Sequence, residues 1–319
     1  MSAGRRLRIA VLMGGIGGER AVSFKSGKAV VEALGEIGHD VVPYDVTDTD
    51  LPGLQELRPD VAFLALHGTF GEDGTVQQML EEMRIPYTGS GPEASRIGMD
   101  KMATKRIFIR HAIPTADYLA VSPDETVEDV AREVAQFRCP VVCKPAAGGS
   151  SLGVSIVRSA RDLPAALAAA REHDDYVLIE RYVHGREFTV GVLEGRALPV
   201  VELVVGREFF DYAAKYEDAN TRYVMPVALH ANVYRRCSET AVRAYEALGC
   251  RHMARVDMLF GFDGGLYVLE VNTIPGLTSR SLLPMAAAEV GIGFPELCDR
   301  ITRAALRTDE EEARRRRSA

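Results

Sequence analysis

No stretch of the chain is both long and apolar enough to span a bilayer, which takes about 18 uninterrupted apolar residues. Positive charge is in deficit: 38 Lys and Arg stand against 45 Asp and Glu, a net charge of −7, so a broad nucleic-acid surface is not expected. Cysteine is sparse and unpatterned. Cys139, Cys143, Cys237, Cys250 and Cys298 are odd in number and show no Cys-x-x-Cys or Cys/His ligand spacing, which argues against a disulfide scaffold and a zinc site. They read as buried or partly buried free thiols in a reducing compartment. The basic N-terminus leads into a Gly-rich loop rather than a small-residue cleavage site, so no secretory signal and a cytoplasmic location are expected. There is no internal repeat and no long linker. What remains is an ordinary globular composition, 47% hydrophobic and 26% charged over 319 residues, sufficient for a sizeable core in two or three domains.

The first hundred residues alternate strands and helices. An apolar run at 7–13 ends at Gly14-Gly15, and Val22, Val30, Ala33, Leu34 and Ile37 then share one helical face that stops at Gly38. Strands follow at 41–44 and 61–66, the latter continuously apolar, as in a strand covered on both faces. This order predicts a parallel α/β unit. Helices are expected at 101–111 and 127–137, and short strands at 141–144, 154–157 and 176–182, the last two with an Ala-rich helix between them. Long strands at 188–193, 198–205, 254–262 and 266–271 dominate the remainder, with helices near 234–248, 281–290 and 294–306. The tail pairs Glu310/Arg314, Glu311/Arg315 and Glu312/Arg316 at i,i+4 and reads as an extension of the last helix.

Three constellations carry chemistry. Asp263-Gly264 is a two-residue type I′ hairpin signal. With that turn, Asp257 falls opposite Glu270 and Arg255 opposite Asn272, all four on one face. Two carboxylates facing each other across a ladder lie about 5 Å apart and repel, so a hard divalent cation is the expected compensation, and magnesium shared with phosphate oxygens fits. Second, Lys144 ends an apolar strand and opens the loop Pro145-Ala146-Ala147-Gly148-Gly149-Ser150-Ser151-Leu152-Gly153, which can offer backbone N–H groups and a cation to phosphates. It is not a Walker A loop, because the Lys precedes the glycines. Third, Gly14-Gly15-Ile16-Gly17-Gly18-Glu19-Arg20 fails as a dinucleotide fingerprint, since Arg20 stands where Gly or Ala is needed. Glu19 could hold an amine or cap the helix that follows.

Those runs resemble the D-alanine–D-alanine ligase family. Gly14-Gly15…Glu19-Arg20-Ala21-Val22-Ser23, Ala65-Leu66-His67-Gly68…Gly71-Glu72-Asp73-Gly74, Pro86-Tyr87-Thr88-Gly89-Ser90-Gly91 and Met99-Asp100-Lys101 occur in the family's order. So do the Lys144 loop, Phe210-Asp211-Tyr212-Ala213-Ala214-Lys215-Tyr216, Arg255-Val256-Asp257, Glu270-Val271-Asn272-Thr273-Ile274-Pro275-Gly276-Leu277-Thr278 and Ser281-Leu282-Leu283-Pro284-Met285. The match covers about residues 8–306.

The resemblance implies an ATP-grasp fold of mixed α/β and α+β class: an N-terminal parallel α/β domain (1–98), a central domain (99–185) and a C-terminal domain (186–319). ATP would lie between two antiparallel sheets. It implies ligation of two D-alanines through an acyl phosphate for peptidoglycan synthesis, two magnesium ions (manganese able to replace them) and a homodimer. Asp257, Glu270 and Asn272 resemble the metal ligands. Lys101 and Lys144 resemble the ATP-phosphate lysines, Ser151 a further ATP contact, Glu180, Val183 and Glu187 the adenine and ribose contacts, and Lys215 the contact to the transferred phosphoryl group. Arg255 and the Gly276 N–H would form an oxyanion hole. Glu19 would hold the first ammonium, linked to Ser150 and Tyr216. His67 would lie near the first substrate, and Ser281 and Leu282 would meet the second carboxylate. Tyr216 favours an amine over a hydroxy-acid nucleophile. Arg181 departs from the Lys common at that position.

A ligase for another amino-acid pair would share the metal and phosphate residues and differ around Glu19, Tyr216 and Ser281. A non-catalytic nucleotide-binding module would have lost at least one of Lys144, Lys215, Arg255, Asp257, Glu270 or Asn272, and all are present. A nicotinamide dehydrogenase is disfavoured by Arg20.

Overall fold

A computed structural model of the chain describes residues 5–137, 139–149, 152–204 and 222–318, in which three sheets follow one another along the sequence. The first is parallel. β1 (Arg8–Gly14) lies between β2 (Asp40–Val46) and β3 (Val61–Leu64), with Ile9 level with both Val41 and Val61. Alternation along β1 serves two cores. Ile9, Val11 and Met13 face Val30 and Leu34 of α1 (Arg20–Glu36), whereas Ala10 and Leu12 face Val76 and Leu80 of α2 (Thr75–Met83). Ile37, assigned to the buried face of α1, is 45% exposed because it stands one residue past the helix end, where the chain leaves that face.

Helices α3 (Pro92–Met99) and α4 (Lys101–Arg110) connect to the second sheet. Asp100 caps α4 by accepting hydrogen bonds from Met102 N (2.9 Å) and Ala103 N (3.0 Å), which fixes Lys101 as its first residue. The second sheet is antiparallel: β4 (Tyr118–Val121), β7 (Val177–Arg181), β5 (Val141–Pro145) and β6 (Ser155–Val157), in that spatial order. α5 (Val127–Val134) and α6 (Leu163–Arg171) cover it through Val130, Val134 and Leu167 packed on Val141 and Ile179.

The third sheet is also antiparallel. Its order is β10 (Arg222–Val224), β9 (Arg196–Val204), β8 (Gly185–Leu193), β11 (Met253–Gly261) and β12 (Leu266–Asn272). α7 (Ala231–Ala247) packs Cys237, Ala241 and Ala244 against Phe188, Val190 and Val256 on one face. On the other face, α8 (Leu282–Glu289) and α9 (Phe294–Ser318) bring Leu283, Leu297 and Ile301 against Leu193 and Leu203, in the same core as Ile9 and Phe63 of the first sheet. No helix among the described residues is long and apolar enough to cross a membrane.

Two expectations are corrected. The β11–β12 connection is not a two-residue type I′ turn. Phe262, Asp263 and Gly264 form the loop, closed by Gly261 N donating to Gly265 O (2.8 Å). Gly264 takes φ +80° while Asp263 does not enter the left-handed region. Near the turn, Phe260 therefore pairs with Leu266 and Met258 with Val268, a register that would set Asp257 opposite Leu269. A β-bulge at Leu269 inserts one residue and restores Asp257 opposite Glu270 and Arg255 opposite Asn272. Cys139 is exposed, in the loop before β5, while Cys143, Cys237, Cys250 and Cys298 are buried free thiols. The tail extends the last helix as expected, and Glu312 also bonds Arg251 (2.8 Å), a residue distant in sequence.

Candidate active site

The bulged hairpin places four polar side chains on one face. Arg255 and Asp257 are buried; Glu270 and Asn272 are half-buried. Arg255 donates to both oxygens of Asp257, Nε to Oδ1 at 2.9 Å and Nη2 to Oδ2 at 2.6 Å, and Thr189 Oγ1 donates to Oδ1 at 2.5 Å. The compensation expected from a cation alone thus comes partly from within the strand, since Asp257 is already neutralised by a charge-assisted fork. Glu270 makes no hydrogen bond or ion pair among the described residues. Asn272 Oδ1 accepts from Ile274 N (3.2 Å), which aims the amide along the turn. The three hold oxygen donors of the type a hard divalent cation takes. No group of three or more His, Cys, Asp or Glu arranged for a metal occurs among the described residues; this set is two carboxylates and an amide.

Facing the hairpin, β5 delivers Lys144 into the loop that follows. Backbone bonds pin the loop: Lys101 N donates to Ala146 O (2.9 Å), Lys101 Nζ to Gly148 O (2.6 Å), and Ala147 N to Asp174 Oδ2 (2.6 Å). Burial, joined by the nearby Lys144 charge and opposed by Glu270, lowers Lys101 to about 8. Ser150 and Ser151 of this loop, and Lys215 and Tyr216, lie outside the described residues.

Between the second and third sheets is a cavity of about 500 Å³. Lys101, Lys144, Gly148 and Gly149 line one end with Asp257 and Glu270, and Glu180, Val183, Glu187 and Leu269 line the remainder. Glu180 is buried between two ammonium groups, Lys144 Nζ at 2.6 Å and Lys105 Nζ at 2.8 Å. Burial alone would push its carboxyl up, but these two lysines hold it below the ordinary carboxylate value. Arg181 also lines the cavity, its guanidinium 5.0 Å from the Tyr267 ring centroid and 3.8 Å from Asp263.

A smaller pocket of about 80 Å³ adjoins the end lined by Lys101 and Lys144, sharing Gly148, Gly149 and Glu270 with the cavity. Glu19, His67, Glu72, Arg255, Asn272 and Gly276 line it. Glu19 occupies the N-cap position of α1, yet its side chain makes no capping bond. It instead stands over Gly68 (φ +76°), where a Cβ would come within 2.6 Å of its Oε2. Of the two readings left open for Glu19, the side-chain cap is therefore not the one adopted. His67 meets Ser26 Oγ at 3.0 Å, and burial, then Arg255, lower its ring to about 4, so it is neutral at physiological pH. Ser281 is not in this lining. Its Oγ accepts from Thr278 N (3.1 Å) and would lie 3.0 Å from a Cβ at Gly276, one step behind the pocket wall. The Leu282 side chain is buried in the apolar core.

Two ionisable residues were not singled out by sequence reasoning. Glu72 lies in a quoted motif but was given no role; it accepts from Gly68 N (2.6 Å), and desolvation pushes it up to about 8. Its neighbour Asp73 accepts from Phe70 N and Thr75 N and builds the turn. An acid left over in a Gly-rich turn is the signal that could have found Glu72. Lys105 is 1% exposed, and nothing local marks it.

The sequence profile described as the D-ala D-ala ligase C-terminus matches residues 107–303, and that of the N-terminus matches residues 49–90. A D-alanine–D-alanine ligase of Geobacter sulfurreducens is 48% identical over 296 residues, 92% of each chain, and one of Syntrophotalea carbinolica is 45% identical over 92% of this chain and 94% of its own. The crystal structure of a Bacillus anthracis D-alanine–D-alanine ligase complexed with ATP superposes with a TM-score of 0.85 at 36% identity, covering 96% of this chain and 99% of that one.

Proposed function

The chain belongs to the D-alanine–D-alanine ligase family, and on that premise we propose that it joins two D-alanines at the expense of ATP, for peptidoglycan synthesis. The observation that carries the reading is the junction of the two pockets. A cavity of nucleotide size and a pocket of amino-acid size meet at Gly148, Gly149 and Glu270, so a phosphate chain in one abuts a carboxylate in the other. A carboxylate resists an amine until one of its oxygens becomes a leaving group. Transfer of the γ-phosphoryl group supplies that group, and attack by the second amine then forms the amide and releases phosphate.

In this reading Glu19 holds the first ammonium and the neutral His67 shapes the pocket beside it. Arg255 and the Gly276 N–H stabilise the developing oxyanion, and Lys101 and Lys144 meet phosphate oxygens. Glu180, Val183 and Glu187 take the base and ribose. Ser150, Ser151, Lys215, Tyr216, Ser281 and Leu282 complete the assignment on the family resemblance. Asp257, Glu270 and Asn272 form a donor set that fits magnesium, two ions with manganese able to replace them, and the unneutralised Glu270 carboxylate supports that fit. A divalent cation held there would offset the phosphate charge. Residues 1–98, 99–185 and 186–319 are proposed as the three domains, supported by the succession of three sheets. Free thiols support a cytoplasmic location, and a homodimer follows from the resemblance.

ATP-dependent phosphate release measured across D-alanine, L-alanine, D-serine and D-lactate, with the product identified by mass, tests the reading. Release specific to D-alanine with a D-alanyl-D-alanine mass is expected. Release with none of the four, alongside intact ATP binding, would reassign the substrate pair.

A further inference from the structure

Lys105 is among the largest fully buried side chains of the molecule, on α4 and outside the lining of either pocket. A buried ammonium is expensive to place and persists only where oxygen partners satisfy it. Lys105 Nζ has three: it donates hydrogen bonds to Thr115 Oγ1 (2.6 Å) and Ala116 O (3.0 Å) and forms an ion pair with Glu180 Oε1 at 2.8 Å. The Tyr118 ring centroid lies 5.1 Å away. Thr115 Oγ1 in turn donates to Val268 O (3.0 Å), and Val268 N donates to Pro114 O (2.8 Å). Val268 is the residue before the bulge at Leu269, on the edge strand of the third sheet. One ammonium therefore joins the Glu180 wall of the nucleotide cavity to the bulge that sets Glu270 in register.

We propose that Lys105 is a positioning residue for the nucleotide end of the site, sharing the charge of Glu180 with Lys144 so that Lys144 can also meet phosphate, and tying that wall to the β12 bulge through Thr115. The inference rests on the ATP reading above. Without Lys105, Glu180 has Lys144 as its remaining ion-pair partner, and Lys144 is then more firmly committed to a carboxylate than to an incoming phosphate.

Lys105→Met tests this, with initial rates measured against ATP and against D-alanine from about pH 8 down to about pH 6. The expected result is a KM for ATP raised about tenfold with KM for D-alanine unchanged and kcat within about threefold. The ATP effect should shrink toward the acid end, because Glu180 has lost one of the two cations that keep it ionised and, once protonated, no longer holds Lys144; Lys101, Lys144, Asp117 and Tyr118 complete the ionisable surroundings. A purely structural role would raise both KM values together and without pH dependence, and that result, or an unchanged KM for ATP, overturns the proposal. Thr115→Val, which removes only the hydroxyl link, decides the matter if the Met variant does not fold. A rise of about threefold in KM for ATP alone supports the proposal, and no change overturns it. Wild-type protein assayed alongside separates the two readings, since absent ATP dependence there defeats the functional assignment instead.

Discussion

At the scale of single residues, the site balances its charges unevenly. Asp257 is spoken for by Arg255 and Thr189, while Glu270 faces both pockets with no ion pair among the described residues. Replacing Glu270 by Gln should therefore leave the melting temperature nearly unchanged while lowering ATP turnover by about 100-fold or more, the scale of losing one electrostatic stabiliser at a reacting centre. Near-normal turnover would remove Glu270 from the metal assignment. Glu72 gives a separate, pH-resolved test. Its folded value of about 8 stands above an unfolded value of about 4.3, so within that window the folded chain keeps a proton that the unfolded chain releases, and stability falls as pH rises. His67, lowered to about 4, and His252, lowered to about 3, act oppositely, since their unfolded forms bind a proton below about 6.5. The contributions oppose each other in acid, leaving Glu72 to govern the range from about 6.5 to about 8. Thermal melts of the unliganded protein should decline across that range and flatten in Glu72→Gln; an unaltered slope would clear Glu72 of the effect. Asp257, Glu270 and Asn272 were legible because one local hairpin brings them together. Glu72 and Lys105 were not, because elements far away in sequence create the burial that makes them notable.

Among the elements, the β11–β12 hairpin shows how a correct pairing can follow from a wrong turn. Asp-Gly was read as a two-residue loop, but Phe262 joins it, and one extra residue at Leu269 cancels the shift. Glycine at 264 was visible as a turn signal; the bulge had no signature in the residue types, since Leu269 suits a strand as well as Val268 does. The bulged residue is also a wall of the nucleotide cavity, so the irregularity serves the site. Strand β8 approaches the same hairpin without room to spare. A Cβ on Gly185 would come within 2.3 Å of Phe260 O and 2.8 Å of Gly261 Cα, both backbone atoms that no rotamer change can move. Gly185→Ala should cost about 1–3 kcal/mol in denaturant unfolding, as overpacking does, and raise KM for ATP more than KM for D-alanine, because Gly185 lines only the larger cavity. Equal effects on both constants would show that the strain spreads beyond the cavity.

Over the whole molecule, the parallel opening unit and the later antiparallel strands could be read from hydrophobic pattern, but the way the first sheet and third sheet share a core could not. Ile9 and Ile301 share one core across nearly the full length of the chain, and no local periodicity encodes that. Arg251 and His252, at the turn into β11, hold the same junction by polar means. Arg251 donates to Tyr87 Oη (2.9 Å), whose hydroxyl donates to Glu81 (2.8 Å), and to Glu312 of the last helix (2.8 Å). His252 accepts from Gly89 N (3.0 Å) and meets Thr308 Oγ1 at 2.9 Å, its backbone held at φ +61°. The motif run at 86–91 thus belongs in part to the joint between sheets, where an exposed loop would have been the simpler reading. Arg251 touches neither the nucleotide cavity nor the small pocket. Arg251→Leu removes hydrogen bonds to a charged group and leaves Tyr87 without one partner, which should destabilise by about 1–3 kcal/mol. At this chain length that corresponds to a fall of roughly 2–4 °C in Tm per kcal/mol at most. Kinetic constants for ATP and D-alanine at a temperature well below the transition should match the wild type. A raised KM for D-alanine with an unchanged Tm would mean instead that the joint sets the shape of the substrate pocket, with Gly89 and the α3 segment as the route.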